Sequence, residues 1–290
     1  SGRGVFTKAF EPFLFEVEHI TPPVPGKEKV AIQQLKDAIG KGGRKRTMHH
    51  QPRAACFIFE PLVLGAGGML MYKPQPLDEM ISICRKNNVL TIADEVMTGF
   101  GRTGKLFATG HLRNHPDIIC LSKGITGGFL PLGLTACTES IFQAFGSDDR
   151  SKTFFHGHSY TANPLACAAA DASLDLIEKK KFMADIRRIH ARHLAFIKKI
   201  ERHPRVQNPR VTGTIFAFDF QTTANSRQSS YFHPARNLIY DFFIERGILL
   251  RPLGNTIYVM PPYCITNEEL KAVYEAIREL LEKVALVSHH

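Results

Sequence analysis

Long apolar runs are missing from this sequence, and so are cysteines at the spacing of a metal site. No stretch approaches the roughly 18 apolar residues of a membrane span, and no signal peptide opens the chain. The six cysteines are scattered in apolar surroundings without a C-x-x-C pair, and the thirteen histidines show no H-E-x-x-H pattern. We therefore expect a cytoplasmic protein with reduced core cysteines, no metal site and no membrane partner.

Acidic residues are in the minority. The chain of 290 residues has 37 Lys and Arg against 27 Asp and Glu, a formal net charge of +10. The densest basic run, GKGGRKRTMHHQPR (40–53), could contact nucleic acid or be a solvated loop between a helix and a strand. A basic surface also suits anionic small molecules, so we favour the loop and expect no nucleic-acid partner. With 44% hydrophobic residues, the chain is globular and can bury a sizeable core.

Strand-like and helix-like patterns alternate along the first 202 residues. Helical patterns, of which QPLDEMISICRKNN (75–88) is the clearest, lie between apolar runs typical of strands. Those apolar runs are at 55–61, 89–96, 117–123 and 132–137. The alternation predicts a mostly parallel α/β sheet in a large domain over residues 1–202.

The character of the sequence changes near HPRVQNPRVTG (203–213). Just before it, an alanine-rich helix is predicted at 165–182 and an amphipathic helix at 183–201. Beyond it, short strands alternate with helices, which predicts a smaller α+β domain over residues 203–290. The strands are predicted at 214–221, 248–254 and 256–262, and the helices at 234–247 and 266–284.

One glycine pattern resembles nucleotide-binding motifs. GFGRTG (99–104) matches G-x-G-x-x-G, and Lys105 continues it towards a Walker A motif. The dinucleotide motif has its acid at the end of the following strand, whereas Asp94 and Glu95 precede the glycines here. A Walker A motif needs Ser or Thr after its lysine, and this sequence has Leu106. Neither nucleotide motif is favoured.

Two neighbouring predicted strands end in an acid and a lysine. Asp94 follows the apolar run that begins at Val89, and Lys123 ends the run in IICLSKGITGG. Ligands of open parallel sheets bind beyond the carboxyl ends of the strands. Lys123 could still be an ordinary solvated lysine. Together, however, the two groups suit a pyridine aldehyde, because a carboxylate keeps the ring nitrogen protonated and a lysine condenses with the aldehyde.

Three segments, ADEVMTGFGRTG, PDIICLSKGITGG and HGHSYTANPLACAAA, resemble the class III aminotransferases of fold type I. The resemblance covers nearly the whole chain and implies pyridoxal 5'-phosphate as the cofactor. It implies that Lys123 is catalytic and binds the cofactor aldehyde, that Asp94 binds the pyridine nitrogen, and that Val96 packs on one ring face. Ser159 would reach the cofactor phosphate of a neighbouring subunit in a homodimer. Alternatively, Val96 is an ordinary core residue and Ser159 caps the following helix.

A finer resemblance within the family concerns the substrates. Ornithine-type members pair a Glu shortly after the E-P dipeptide with a C-terminal Arg. Here no acid lies between Glu60 and Asp78, and Tyr258 stands in the place of the Arg. LLRPLGNTIYVMPPY, GAGGMLMY and HGHSYTANP instead resemble members that make 7,8-diaminononanoate for biotin from S-adenosylmethionine and 8-amino-7-oxononanoate.

In such a member Arg251 binds the carboxylate of the keto acid, a task that suits the guanidinium fork. Tyr258 would line the pocket for the methionine portion of the donor, and Gly157 would line the substrate site. Arg251 could alternatively be a surface arginine at a strand end. Another class III omega-aminotransferase is the alternative activity.

The family also has an N-terminal part ahead of the segment SGRGVFTKAFEPFLF. The resemblance implies that this part carries a Gly-Ser turn that binds the cofactor phosphate and an aromatic residue that stacks on the ring. We find no Gly-Ser turn before a helix ahead of Glu60 in this sequence. A catalytically silent, aminotransferase-like fragment that assembles with a partner is therefore a further alternative.

Overall fold

The computed structural model describes residues 7–40, 54–221, 233 and 235–283. Apart from Gly40, the basic run at 40–53 lies outside the described residues. Within these ranges, no helix combines the length and the apolar character needed to cross a membrane.

Helices and strands alternate along the described chain. The helices are α1 (Glu28–Gly40), α2 (Pro74–Lys86), α3 (Glu139–Gln143), α4 (Pro164–Ile177), α5 (Lys180–Ile200), α6 (Ala235–Ile244) and α7 (Asn267–Lys283). The strands are β1 (Cys56–Phe59), β2 (Val63–Leu64), β3 (Leu70–Met71), β4 (Leu90–Asp94), β5 (Ile118–Leu121), β6 (Leu134–Cys137), β7 (Val206–Thr212), β8 (Ile215–Phe220) and β9 (Thr256–Val259). Short 3-10 helices lie at Lys8–Phe13, Ala108–His111, Lys123–Thr126 and Arg150–Lys152.

Four strands form the larger sheet, in the order β1-β4-β5-β6. β1 pairs in parallel with β4, and β4 pairs in parallel with β5, whereas β6 runs antiparallel to β5. The predicted mostly parallel α/β sheet is therefore confirmed. Because β1, β4 and β5 run in one direction, their carboxyl ends meet at the same edge of the sheet.

Helix α2 covers this sheet and is in turn covered by α1. Its buried residues Leu77, Met80, Ile81 and Cys84 recur at the spacing of one helix face. Leu77 and Ile81 belong to the apolar cluster formed with β1 and β4, whereas Met80 and Cys84 belong to the cluster formed with α1. Full burial of a side chain of the size of Leu contributes about 1.5 to 3 kcal/mol, so this helix fixes the sheet firmly.

The C-terminal part, residues 203–283, contains the antiparallel sheet β7-β8-β9, which packs in apolar clusters on both faces. Successive residues of its central strand β8 point to opposite faces. Phe216 and Phe218 pack in the core formed by α5, α6 and α7. Ile215 and Ala217 pack on the other side with Leu62 and its neighbours, which follow β1.

Two details of the C-terminal prediction are wrong. The predicted strand at 248–254 is irregular chain, with only an isolated bridge from Leu253 to Thr256. Pro252 has no N–H for a strand ladder, and Gly254 turns the chain with a φ of 61°. Conversely, no strand was predicted at 203–213, where the structure has β7. A bulge between Gln207 and Arg210 lets this strand accommodate its proline.

The alanine-rich helix predicted at 165–182 is also too long. The chain leaves the helix after Ile177 and starts α5 at Lys180, because Lys179 has an extended backbone with a ψ of 137°. The predicted domain boundary between 202 and 203 stays a prediction. Phe196, which lies ahead of that boundary on α5, packs in the core of the C-terminal sheet.

The segment 99–104 contacts the C-terminal part through backbone atoms. Thr214 N donates to Arg102 O at 2.9 Å. A Cβ atom placed on Gly213 would overlap Arg102 O, Thr103 C and Gly104 N. Gly213 also has a φ of 56°, which side chains rarely adopt. Glycine at this position is therefore what allows the two segments to touch.

We expect Gly213→Ala to destabilise the protein by about 1 to 3 kcal/mol more than Gly247→Ala. Both glycines have a positive φ, 56° for Gly213 and 70° for Gly247, so both variants carry backbone strain. A Cβ on Gly247 has nothing within 4 Å, so only Gly213→Ala adds an overlap. Urea unfolding of the two variants measures the difference. Equal losses would contradict the contact between Gly213 and the 99–104 segment.

Candidate active site

Three charged groups follow three neighbouring parallel strands at one edge of the larger sheet. Glu60 directly follows β1, Asp94 is the last residue of β4, and Lys123 lies just beyond β5. Asp94 stands opposite Cys120 in the register of β4 and β5. The predicted pairing of Asp94 with Lys123 at one sheet edge therefore agrees with the strand topology. Glu60 is a third member that was not predicted from the sequence.

Glu60 interacts with both predicted residues. Burial raises the pKa of its carboxyl group above the usual value, and the negative charge of Asp94 raises it further. The N–H of Gly65, which donates to Glu60 Oε2 at 2.9 Å, and the positive charge of Lys123 act in the opposite direction. Since the charges of Asp94 and Lys123 both affect the pKa of Glu60, the three groups form one electrostatic cluster. A Glu directly after an apolar strand was the sequence signal that could have identified it.

The backbone near Glu60 is held close to β4. The hydroxyl of Tyr72 donates to the carbonyl oxygen of Glu60. A Cβ on Gly65 would overlap the sulfur of Met97 and would lie 3.4 Å from Glu60 Oε2. The glycine thus permits the loop after β1 to approach the chain after β4, which brings the Glu60 carboxyl towards Asp94.

Asp94 is half-buried, and its carboxylate accepts a hydrogen bond from the backbone N–H of Val96 at 3.1 Å. Val96 is half-buried as well. This local bond fixes the carboxylate relative to the turn after β4. One oxygen of the carboxylate is used in this way, and a carboxylate can accept further hydrogen bonds.

Glu95 is fully buried, and its side chain connects the two ends of the segment 95–109, here called the 95–109 excursion. Its Oε1 accepts from Thr109 N at 2.8 Å and from Thr109 Oγ1 at 2.6 Å, and its Oε2 accepts from Ala108 N at 2.6 Å. A buried carboxylate is costly unless it is hydrogen-bonded, and these donors meet that need. In the sequence, Glu95 stood out only as a neighbour of Asp94, so this role was not predicted.

Lys123 is exposed and sits in an uncommon backbone conformation, with a φ of 42°. It begins the 3-10 helix that ends at Thr126 and is capped by Gly127, and Gly128 N donates to Lys123 O at 3.1 Å. Ser122 Oγ donates to Leu132 O at 2.7 Å just before it. The backbone of Lys123 is therefore held on both sides while its amine stays accessible.

Ser159 and Gly157 lie on an exposed stretch ahead of α4. Asn163 caps α4, with its Oδ1 accepting from Leu165 N at 3.0 Å and from Ala166 N at 3.2 Å. The alternative that Ser159 caps this helix is therefore wrong. Its role at a cofactor phosphate, and the role of Gly157 at the substrate, stay predictions.

The two predicted substrate residues of the C-terminal part differ in their surroundings. Tyr258 lies on β9 opposite Ala217 and packs in the apolar cluster that also contains Met97, three residues after Asp94. Arg251 is exposed in the irregular chain before β9. In the described part of the chain no ion pair or hydrogen bond connects Arg251, Ser159 or Gly157 with Lys123. These substrate roles stay predictions.

Known proteins resemble this chain in sequence. A family model described as aminotransferase class-III matches residues 4–281. The chain is 44% identical to the adenosylmethionine-8-amino-7-oxononanoate aminotransferase of Synechococcus elongatus, with 97% of this chain and 65% of the relative covered. It is 34% identical to the protein of that name in Helicobacter pylori, with 97% and 62% covered. The chain thus spans less than two thirds of the length of these relatives.

Solved transaminase structures share the fold. The adenosylmethionine-8-amino-7-oxononanoate aminotransferase of Methanocaldococcus jannaschii matches with a TM-score of 0.80 at 32% identity, covering 95% of this chain and 63% of that one. An (S)-enantioselective omega-transaminase from Thermomicrobium roseum matches with a TM-score of 0.80 at 29% identity, covering 95% and 62%. A PLP-bound amine transaminase from an uncultivated Pseudomonas species matches with a TM-score of 0.75 at 33% identity, covering 87% and 55%. The predicted fold type I architecture is confirmed.

We expect Glu60→Gln to remove a pH dependence of stability. Because the pKa of Glu60 is raised in the folded state, its contribution to stability is fully present below the unfolded value of 4.5 and is lost as the pH rises through the folded value. Gln keeps an acceptor for the N–H of Gly65 but cannot ionise. Urea unfolding across this pH range should show a fall in stability in the parent protein that is smaller in the variant.

Glu79→Gln on α2 is the matched control, because it removes the same charge from a carboxyl group whose side chain is 55% exposed. If Glu60→Gln and Glu79→Gln change the pH dependence equally, the carboxyl of Glu60 is not the group responsible.

Proposed function

The chain belongs to the class-III aminotransferases, and we propose that, within its whole protein, it moves an amino group from S-adenosylmethionine to 8-amino-7-oxononanoate to give 7,8-diaminononanoate. The observation that carries this proposal is that Lys123 and Asp94 lie at the same sheet edge. The chain that contains them is 44% identical to the adenosylmethionine-8-amino-7-oxononanoate aminotransferase of Synechococcus elongatus. A cytoplasmic homodimer that shares its active sites through Ser159 is part of the proposal.

The residues at this edge fit pyridoxal 5'-phosphate. An exposed amine at Lys123 is accessible to an aldehyde, and a half-buried carboxylate at Asp94 can bind a ring N–H. Val96 and Ser159 are the further candidates for holding the ring and the phosphate. When bound, the cofactor supplies an aldehyde that exchanges amino groups and a protonated ring that accepts electrons.

The side chains of this chain have separate tasks in the proposed reaction. Asp94 keeps the proton on the ring nitrogen, and its bond to Val96 N holds the carboxylate in place for that task. Lys123 Nζ acts as the base that takes the proton from the donor carbon bearing the amino group. In the second half-reaction it delivers a proton to the former keto carbon of the acceptor. Because the bound cofactor would hold the donor's amino group between the two half-reactions, the donor product leaves before the acceptor binds, and ping-pong kinetics follow.

Substrate selection is assigned to the C-terminal part. Arg251 is exposed and free of ion pairs within the described residues, so its guanidinium is available to a carboxylate of the acceptor. Tyr258, near Met97 in the same apolar cluster, is assigned to the methionine portion of the donor. The absence of an acid between Glu60 and Asp78 argues against the Glu and Arg pair of ornithine-type members.

A second candidate is an omega-transaminase acting on other amines. The structure from Thermomicrobium roseum, described as an omega-transaminase, has the same TM-score of 0.80 as the Methanocaldococcus jannaschii structure. Single-turnover absorbance changes with S-adenosylmethionine or with simple amines as donors distinguish the two. A response to simple amines alone would overturn the proposed donor.

We expect pyridoxal phosphate to be fixed on Lys123 by borohydride reduction. Lys123→Ala should abolish the label because the amine is gone, whereas Lys271→Ala on the exposed face of α7 should keep it. Peptide mass spectrometry of the reduced whole protein identifies the labelled residue. A label on another lysine would contradict the assignment, and absence of any label from the parent protein would support a catalytically silent chain.

We expect Arg251→Ala to weaken binding of 8-amino-7-oxononanoate by about 1.5 to 3 kcal/mol, the size of a hydrogen bond to a charged group. Arg251→Lys should recover part of the loss, because a point charge cannot reproduce the fork. The donor half-reaction, followed separately in single-turnover experiments, should change little. If Arg251→Ala slows both half-reactions equally, Arg251 does not select the acceptor.

A further inference from the structure

The GFGRTG segment (99–104), which fits neither nucleotide-binding motif, lies between the turn of Lys123 and the C-terminal part. It belongs to the 95–109 excursion, whose two ends are connected by the Glu95 side chain. Its backbone contacts Gly213 and Thr214. No step of the proposed reaction uses this segment. It contacts the turn of Lys123 on one side and the C-terminal part on the other, so it connects the two.

Phe100 packs directly on the residue after Lys123. A Cβ on Gly124 would lie 2.8 Å from Phe100 Cδ2 and 2.9 Å from Phe100 Cβ, which is closer than real Cβ contacts. Phe100 is buried in the cluster that contains Ile125, the second residue after Lys123. It also meets Phe107 edge-on, with ring centroids 5.5 Å apart. The Lys123 turn therefore rests against Phe100, and a shift of Phe100 would shift the turn.

Phe100 is held in turn by the C-terminal part. Tyr263 OH donates to Phe100 O at 2.7 Å, across 163 residues of sequence. Burial raises the pKa of Tyr263 to about 12, so its hydroxyl remains a donor at neutral pH. Arg102 stacks on the Tyr263 ring at 4.5 Å and donates to Pro261 O at 2.6 Å. These contacts fix Tyr263 and Phe100 relative to each other.

We propose that Tyr263, through its hydrogen bond to Phe100 O and the contact of Phe100 with Gly124, is a positioning residue for Lys123. The chain of contacts runs from the C-terminal part to the backbone beside the amine. Phe100 has a φ of 55° and Lys123 a φ of 42°, so neither residue rests in a relaxed backbone conformation. A hydrogen bond that fixes the first also limits the second. The consequence for catalysis rests on the proposed function of Lys123, whereas the positioning itself does not.

Tyr263→Phe removes the hydroxyl and leaves the ring that stacks with Arg102. Tyr274→Phe is the matched control, because the Tyr274 hydroxyl lies 2.7 Å from His193 Nδ1, likewise in the C-terminal part. His193 Nε2 must donate to Thr214 O, so Nδ1 accepts and Tyr274 is the donor. Each variant thus loses one donated bond of 2.7 Å, and Tyr263→Phe also loses the hydrogen bond of its hydroxyl with the Thr214 side chain. Of the two tyrosines, only Tyr263 binds the 99–104 segment.

The first readout is acetylation of Lys123 by trace acetic anhydride in the cofactor-free whole protein. Peptide mass spectrometry measures its rate against Lys271 in the same sample. We expect Tyr263→Phe to change the normalised rate by about two- to tenfold, the range set by one neutral hydrogen bond. Tyr274→Phe should lower the melting temperature but leave this rate unchanged.

The second readout is the visible circular dichroism of pyridoxal phosphate bound to the whole protein, which responds to the orientation of the group beside Lys123. It should change in Tyr263→Phe and not in Tyr274→Phe. An unchanged acetylation rate and dichroism in Tyr263→Phe, with a melting temperature lowered as in the control, would overturn the proposal. If the parent protein binds no pyridoxal phosphate, the proposed function fails, while the acetylation rates still decide whether Tyr263 positions Lys123.

Discussion

The parallel pairing of β4 with β1 on one side and β5 on the other is the constraint on which the candidate site depends. Parallel strands all present their carboxyl ends at one edge, so residues far apart in sequence converge there without long side chains. Glu60, Asp94 and Lys123 meet for this reason. An antiparallel β4 would send its last residue to the opposite edge. The antiparallel strand β6 lies outside this group of three, next to β5 only.

The edge becomes a defined site because the carboxylates of Glu95 and Glu60 fix the chain that leaves β4 and the chain that leaves β1. After β4, the carboxylate of Glu95 ties the start of the 95–109 excursion to its end at Ala108 and Thr109. After β1, the N–H of Gly65 closes a short loop on the carboxylate of Glu60. Charged acceptors make hydrogen bonds roughly twice as strong as neutral ones, so a few such bonds can hold an otherwise irregular segment.

Periodicity and strand-end chemistry predicted the sheet, the helices and the pair of Asp94 and Lys123 from the sequence, because each depends on residues close together in the chain. Glu60 also lies at a strand end, but it was missed as a site residue because its electrostatic interaction with Asp94 and Lys123 shows only once the strands are paired. The strand β7 was missed because a proline argues against strands, and only the bulge seen in the structure reconciles the two. In one alternative, Ser159 was expected to cap α4. The structure shows that Asn163, four residues later, is the residue that caps this helix.

Strain at the site completes the physical account. Lys123 and Phe100 both adopt positive φ angles, 42° and 55°, and non-glycine residues held in this way cost of order 1 to 3 kcal/mol each. Such conformations persist only where the surroundings determine them. Gly124 provides the space in which the two strained segments touch. Tyr263 binds the second segment at Phe100 O, and Glu95 connects the start of that segment with Ala108. The amine of Lys123 is thus exposed, while neighbouring residues hold its backbone in a strained conformation. The reactive group is accessible, but its backbone is fixed in position.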